Sequence, residues 1–379
     1  MDFDLNDDQR MLKDSVDRLV ADRYGFDQRH AAMAEPDGWS RAMWAQFAEL
    51  GLLGLPFSEA QGGFGGGPVD TMIVAEAFGR ALVLEPYFAT VVLGGGLLRR
   101  TDDPAGLIPG IIAGEELVAF AHLERYSRYA FNDVTTIARP EGGRYRIEGE
   151  KGVVLHGDCA GTLLVTARTA GSSRDRDGIG LFAVPARSEG VSVRGYATQD
   201  GLRAAEVSFA GAYGTPLGDP AGALPLVERV ADEALAWLAA EAVGVMQTMH
   251  NATVDHMKQR RQFGRAISEF QALQHRAVDM YVLLEQARSM ALYATMMAAD
   301  DDATQRHRAA AAAKVQIGRS GRTLGQEAIQ LHGGIGVTDE YSASHYFKRL
   351  TVIEMTFGDT LFQLGEVSQR MQPTAGVFA

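Results

Sequence analysis

The period of the apolar residues changes twice along this chain, and those two changes limit what it can fold into. From about Leu117 to Phe209 the period is two. Tyr145 and Ile147 alternate with Arg144, Arg146 and Glu148 after a Pro140-Glu141-Gly142-Gly143 turn, and Val191/Val193 and Val207/Phe209 repeat the step. Leu163-Leu164-Val165 and the run from Ile179 to Val184 are unbroken and apolar, as strands buried on both faces require; Ser172 to Gly178 between them reads as an exposed connection. On either side the period is helical. Asn6 followed by Asp7 and Asp8 reads as an N-cap with acids in the first turn, and Leu12, Val16, Leu19 and Val20 then share one face. A second helix is expected from about Ser40 to Leu50, ending at Gly51, and another near Val69 to Leu82, with the glycine-rich Gln61 to Gly67 as a turn between them. After Pro220, long alanine-rich helices are expected at about Leu224–Met257, Glu269–Met297 and Thr304–His332. The class is therefore α+β: an N-terminal helical domain at 1–116, a middle β-domain at 117–220 and a C-terminal four-helix bundle at 221–379. That bundle carries more apolar face than a monomer needs, so an oligomer is expected.

A formal charge of -12 and a pI near 5.3 argue against nucleic acid or an anionic membrane as partner, since both demand a basic face. Any phosphate must be met locally. The acids of the opening Met1–Asp8 stand where a signal peptide needs a basic start, and no apolar run is long enough to span a bilayer, so a cytoplasmic address is expected. The single Cys159 fits a reducing compartment and reads as a small buried thiol. The nine histidines show no metal spacing, and His250 and His256 read as surface or interface residues.

Lys258, Arg260, Arg261 and Arg265 crowd the end of a helix, where cations complement the macrodipole, and taken alone they read as a solvated face. The pattern continues, however, as Phe263-Gly264 and then Gln271, and a second segment runs Gln330-Leu331-His332-Gly333-Gly334-Ile335-Gly336. Together the two segments resemble the flavin-nucleotide grip of the acyl-CoA dehydrogenase family, and the resemblance extends over nearly the whole chain. It implies FAD as cofactor. Arg260 would offer forked donors to the pyrophosphate, Phe263 would pack beside the cofactor, and Gln271 and Gln330 would hydrogen-bond it. Gly333 and Gly334 would let the backbone approach closely. In the family these residues reach the adenosine-pyrophosphate half of a neighbouring subunit's FAD.

Elsewhere the chain departs from the family pattern. The family's flavin-ring segment, with threonine and serine around Glu-Pro-Gly-Ala-Gly-Ser, aligns with Leu123 to Tyr129, and a tryptophan and threonine that follow a strand lysine align with Val153 and Leu155 after Lys151. The loop that carries the base as Tyr-Glu-Gly-Thr aligns with Thr356-Phe357-Gly358-Asp359, and the alternative base position aligns with Ala234. Two carboxylates remain as candidates, Glu241 and Glu233. Glu241 lies in an apolar helical run and is the candidate catalytic residue, although it is two turns, about 10 Å, from Ala234, and pairing with a basic residue is its other reading. Glu233 is rotated off that face by roughly 100°. Asp359 reads equally well as a flavin contact or as a turn or cap residue.

Further stretches, among them Glu35 to Ser40, Leu50 to Phe57, Arg80 to Tyr87 and Leu155 to Ala160, look most like the small subunit of a bacterial two-subunit member that acts on a dicarboxylyl-CoA. The resemblance implies α,β-dehydrogenation of an acyl-CoA thioester in fatty acid degradation, with an electron-transferring flavoprotein as the reoxidant. It also implies a homo- or hetero-tetramer with a large acyl-CoA dehydrogenase subunit. The alternative is a structural subunit that supports a catalytic partner.

Overall fold

The computed structural model describes residues 4–375, so the first three residues of the acidic opening and residues 376–379 fall outside it. Helices α1 (Asp7–Arg23), α2 (Phe26–Met33), α3 (Arg41–Glu49) and α4 (Pro68–Ala81) come first. A π-helical segment, Phe88–Gly94, continues as α5 (Gly95–Leu98), and α6 (Ile108–Ala113) follows. The strands are β1 (Val118–Ala121), β2 (Ile137–Glu141), β3 (Arg144–Leu155), β4 (Thr162–Arg168), β5 (Ile179–Pro185), β6 (Val191–Ala197) and β7 (Arg203–Pro216). Next come α7 (Leu224–Gln259), the short hairpin β8 (Arg261–Gln262) and β9 (Arg265–Ala266), then α8 (Gln271–Met297), α9 (Ala303–His332), α10 (Ser342–Met355) and α11 (Thr360–Ala375). The chain is α+β, with helical first and last parts around a β middle. Two compact units result: Met1–Ala31 with Gly67–Val83 and Leu235–Ala379, and Ala32–Gly66 with Leu84–Ala234.

In the helical unit α1 starts where Asn6 accepts from Gln9 N at 2.8 Å and the Gln9 side chain accepts from Asn6 N at 3.2 Å, a reciprocal box that satisfies two orphan amides. Its buried Val16 and Val20 face α4. The crossing of α4 and α7 needs glycine on both sides. A Cβ on Gly79 would lie 2.0 Å from the Glu241 carbonyl oxygen, and one on Gly244 would lie 2.0 Å from that of Glu76. That contact fixes Glu241 at the crossing. Small side chains do similar work further along, where Ala236, Ala294, Ala298 and Ala313 form a buried cluster with Met290 against it.

The β unit folds around a sheet that closes on itself. Strand β4 pairs with β5 and β2, β2 with β3, β3 with β7, and β7 with β5, while β1 joins β4 and β6 joins β7. The β2–β3 hairpin turns through Gly142 and Gly143, whose φ values of 59° and 80° suit the turn that matches strand twist. Inside lie Ile147, Leu163, Val165, Phe182, Val184 and Val207. Truncating Phe182, which is fully buried, to alanine should cost about 3–5 kcal/mol.

Two expected loops differ from their sequence reading. The connection at 172–178 is anchored from within, because the buried Arg168 guanidinium donates to the carbonyls of Asn132, Val134, Ala170, Ser173, Asp175 and Asp177 at 2.9 to 3.3 Å. The glycine run is likewise no loose turn. The Gly63, Phe64, Gly65 and Gly66 amides donate to Ser58, Gly54, Phe57 and Leu55 carbonyls, so those N–H groups are spent within the chain and cannot cradle a phosphate. Among the described residues no helix is long and apolar enough to cross a membrane.

Candidate functional site

The first segment lies where α7 ends. Arg260 follows the last turn, and Phe263-Gly264 form the two-residue turn of the β8–β9 hairpin with φ values of 53° and 80°. The left-handed Phe263 is 90% exposed, with only the edge of Phe270 beside it at 6.1 Å between centroids. Gln271 opens α8. In the second segment Gln330 lies in the last turn of α9, and Gly333-Gly334 begin a 3-10 turn, Gly333–Val337, that carries the exposed Ile335 and Val337. No atom lies within 4 Å of a Cβ built on Gly264, Gly333 or Gly334. The side chains of Arg260, Gln271 and Gln330 are exposed, and among the described residues their polar ends meet no partner.

Two histidines join the segments, and sequence reasoning missed them. His256 is one turn before Arg260, whose amide donates to the His256 carbonyl at 2.8 Å; His332 stands between Gln330 and Gly333. Their rings are 4.5 Å apart at the centroids and inclined by 32°. His256 is therefore half-buried in a ring stack, whereas polar neighbours suggested a surface residue. His332 is buried; its Nδ1 donates to the Ala328 carbonyl at 2.8 Å, and its Nε2 has no partner. The only sequence hint is position, a histidine inside each segment. A phosphate-bearing nucleotide end fits this surface: an unpaired guanidinium, two free amides and open backbone at two glycines lie on the two segments.

Of the residues aligned with the family's ring contacts, Leu123, Glu124, Arg125, Arg128 and Val153 line one cleft of about 750 Å³ in the β unit, joined there by Arg194 and Glu206. At its floor Lys151 Nζ, fully buried, donates to Glu124 Oε1 at 2.8 Å, to the His122 carbonyl at 3.0 Å and to Thr166 Oγ1 at 3.3 Å. Burial raises the Glu124 carboxyl, yet the Lys151 ammonium and hydrogen bonds from Thr135 and Thr136 outweigh it and hold the group down at about 2. Burial lowers Lys151 to about 8 against the pull of Glu124, and it lowers His122 to about 3 with the lysine's help. Val153 sits at φ 50° beside a register break in β3 and is 49% exposed. A tricyclic flavin ring wants a flat apolar wall, and this lining of guanidiniums, carboxylates, leucine and valines, without an aromatic ring, does not fit it.

The carboxylate candidates are all engaged. Both Glu241 oxygens receive the Arg349 guanidinium, at 2.6 and 2.8 Å, with both residues buried. Glu233 is held by Arg99 at 2.5 Å, by Arg229 at 3.0 Å and by Arg100. Asp359 Oδ1 accepts from Phe362 N at 2.8 Å, capping α11. The base-loop position holds Phe357, buried at φ 54°, and Ala234 is fully buried. The turn itself is strapped in place. Lys314 Nζ donates to the carbonyls of Glu354, Thr356 and Gly358 at 2.9, 2.9 and 2.7 Å, and Gln363 Nε2 donates to that of Phe357 at 2.7 Å. Burial pushes the Cys159 thiol up to about 12, which makes it inert.

Models of the N-terminal, middle and C-terminal domains of acyl-CoA dehydrogenases match residues 6–99, 119–211 and 226–372. The chain is 30% identical over 344 residues to acyl-CoA dehydrogenase IpdE2 of Mycobacterium tuberculosis, covering 90% of this chain and 91% of that protein. It is 28% identical to the probable acyl-CoA dehydrogenase YngJ of Bacillus subtilis, covering 96% and 97%. Among solved structures, a variant of the Tcur3481-Tcur3483 steroid ACAD superposes with a TM-score of 0.87 at 26% identity, over 97% of this chain and 99% of the other.

Proposed function

The chain belongs to the acyl-CoA dehydrogenase family and is an FAD-dependent oxidoreductase, and from that premise we propose that it is one subunit of a hetero-oligomeric acyl-CoA dehydrogenase. It gives the assembly its hold on the adenosine-pyrophosphate end of FAD, while a related large subunit supplies the ring pocket and the base. One observation carries this reading: Phe357 and Ala234 fill the base positions, and the candidate carboxylates Glu241, Glu233 and Asp359 are committed to arginines or to a helix cap. Glu241 thus serves as the charge partner of Arg349. The Tcur3481-Tcur3483 relative, whose name joins two components, supports a two-chain assembly.

The parts at 1–116, 117–220 and 221–379 are the functional domains in this reading, and the last carries the grip. Arg260 offers parallel N–H donors to the pyrophosphate, Gln271 and Gln330 hydrogen-bond the nucleotide end, Phe263 lies against it, and Gly333 and Gly334 admit it to the backbone. FAD, when bound, supplies the hydride acceptor for α,β-dehydrogenation of an acyl-CoA thioester. The substrate class proposed is a dicarboxylyl-CoA such as pimeloyl-CoA, on the resemblance of stretches such as Glu35 to Ser40 and Leu155 to Ala160 to the small subunit of pimeloyl-CoA dehydrogenase. Reoxidation falls to an electron-transferring flavoprotein, and the assembly is a cytoplasmic tetramer. A second reading, a structural subunit with no part in the chemistry, draws on the charged cleft that replaces the ring site.

Co-purification from the native source, with bound flavin counted by absorbance, tests the proposal. The expected result is flavin held by a two-chain assembly and turnover that requires both chains. A lone chain that is yellow and bleaches with acyl-CoA at full rate overturns it, and an assembly whose flavin count is unaffected by this chain favours the structural reading.

A further inference from the structure

Building on the nucleotide-grip reading, we propose that His256 and His332 are positioning residues: their ring stack is the strut that spaces the two FAD-gripping segments, and charging both rings releases the cofactor. The stack ties each segment one turn or less from its gripping residues. His256 is followed at the fourth place by Arg260, and the Arg260 amide donates back to the His256 carbonyl; His332 is followed directly by Gly333. Tyr341 closes the cluster, its ring 5.0 Å from His332 and 6.4 Å from His256.

The protonation state follows from the hydrogen bonds. Nδ1 of His332 meets a carbonyl, which only accepts, so the proton is on Nδ1 and the partnerless Nε2 is a bare nitrogen. A second proton would bury an N–H with no acceptor and set a cation against the His256 ring. The surrounding groups reinforce this. Burial lowers His256, and His332 and Arg260 lower it further; burial also lowers His332. Asp255 and Lys258, on the same helix, pair with each other at 3.5 Å, and the Tyr341 phenol is raised by burial and by Asp255. Among the described residues neither ring forms an ion pair, so both are neutral at neutral pH and mutual repulsion begins only in acid.

The test measures FAD dissociation from the assembled flavoprotein, by flavin fluorescence, at about pH 7.5 and about pH 4.5, well below the ordinary histidine value that burial lowers further. Wild type should bind about tenfold more weakly at the lower pH. His256→Phe keeps a ring that cannot charge, so it should hold FAD as wild type does near neutrality and lose the pH step. His256→Ala, which removes the strut, should weaken FAD about tenfold at both values. Arg260→Ala separates the two readings: if it leaves FAD affinity unchanged, the grip itself is wrong. If Arg260→Ala weakens FAD but His256→Phe keeps the wild-type pH step, the strut is refuted, whether or not His256→Ala folds. Tighter FAD binding in acid also refutes it, because the imidazoliums would then be acting as phosphate ligands.

Discussion

Replacing Glu241 by glutamine separates a structural from a catalytic carboxylate, and the geometry states the expected size of the effect. Glu241 and Arg349 meet through two short N–H···O bonds, with their side chains only about a tenth exposed. At an effective dielectric near 20, two unit charges about 4 Å apart attract by about 4 kcal/mol. Glu241→Gln removes that attraction and leaves the guanidinium buried without a counter-charge, a loss of roughly 3–5 kcal/mol. In a chain of this length the midpoint of thermal unfolding should fall by roughly 4–6 °C. Glu241→Met combined with Arg349→Met should recover much of the loss, since a buried pair replaced by apolar side chains is often close to neutral. Circular dichroism reads the unfolding, and stopped-flow absorbance reads flavin reduction by acyl-CoA in the assembled enzyme. The expected outcome is a lower midpoint with near wild-type reduction in the folded fraction. An unchanged midpoint with reduction slowed by a factor of about 10²–10⁴ would refute the argument and make Glu241 the base.

Arg260→Ala and Gln330→Ala should each weaken FAD retention by roughly 1.5–3 kcal/mol while leaving the unfolding midpoint in place; equilibrium dialysis against FAD checks this. Gly334→Ala, with open space around the new Cβ, should leave stability unchanged and still weaken FAD, whereas Gly63→Ala puts a Cβ 2.4 Å from the carbonyls of Gly54 and Phe57 and should cost at least about 2 kcal/mol by urea titration. Glu124 predicts an acid limb: its folded value of about 2 lies below the ordinary 4.5, so its stabilisation is complete above about 4.5 and is lost as pH falls through about 2. Glu124→Gln should flatten that limb in a pH series of urea titrations and lower stability near neutrality by about 3–5 kcal/mol, because the Lys151 ammonium is left buried alone.

Much of the fold was legible because periodicity reports which face is buried. The long α7, α8 and α9 and the doubly buried β4 and β5 lie within a few residues of where the helical period and the unbroken apolar runs put them. The grip segments were read through a resemblance: taken alone, the cations from Lys258 to Arg265 read as a solvated face, and it is the family pattern that singles out Arg260, Phe263, Gln271 and Gln330 on two segments. The His256–His332 stack was not legible, since it joins residues 76 positions apart and neither neighbourhood is apolar.

Side chains that bind backbone were the least legible of all, and they explain how the turn at Phe357 holds without a carboxylate at that position. A carbonyl is the same acceptor whatever residue carries it, so no pattern in residues 172–178 reveals that Arg168 gathers them. Lys314 acts alike on the turn at Glu354, Thr356 and Gly358, and Gln363 holds the carbonyl of Phe357 itself. None of these bonds depends on the side chain at 357. A phenylalanine can therefore occupy a left-handed position at the base loop while the strapping bonds keep the backbone in place. In a chain held this way, the side chain at position 357 and the stability of the turn are separable, which is the separation that the proposed two-chain assembly requires of this subunit.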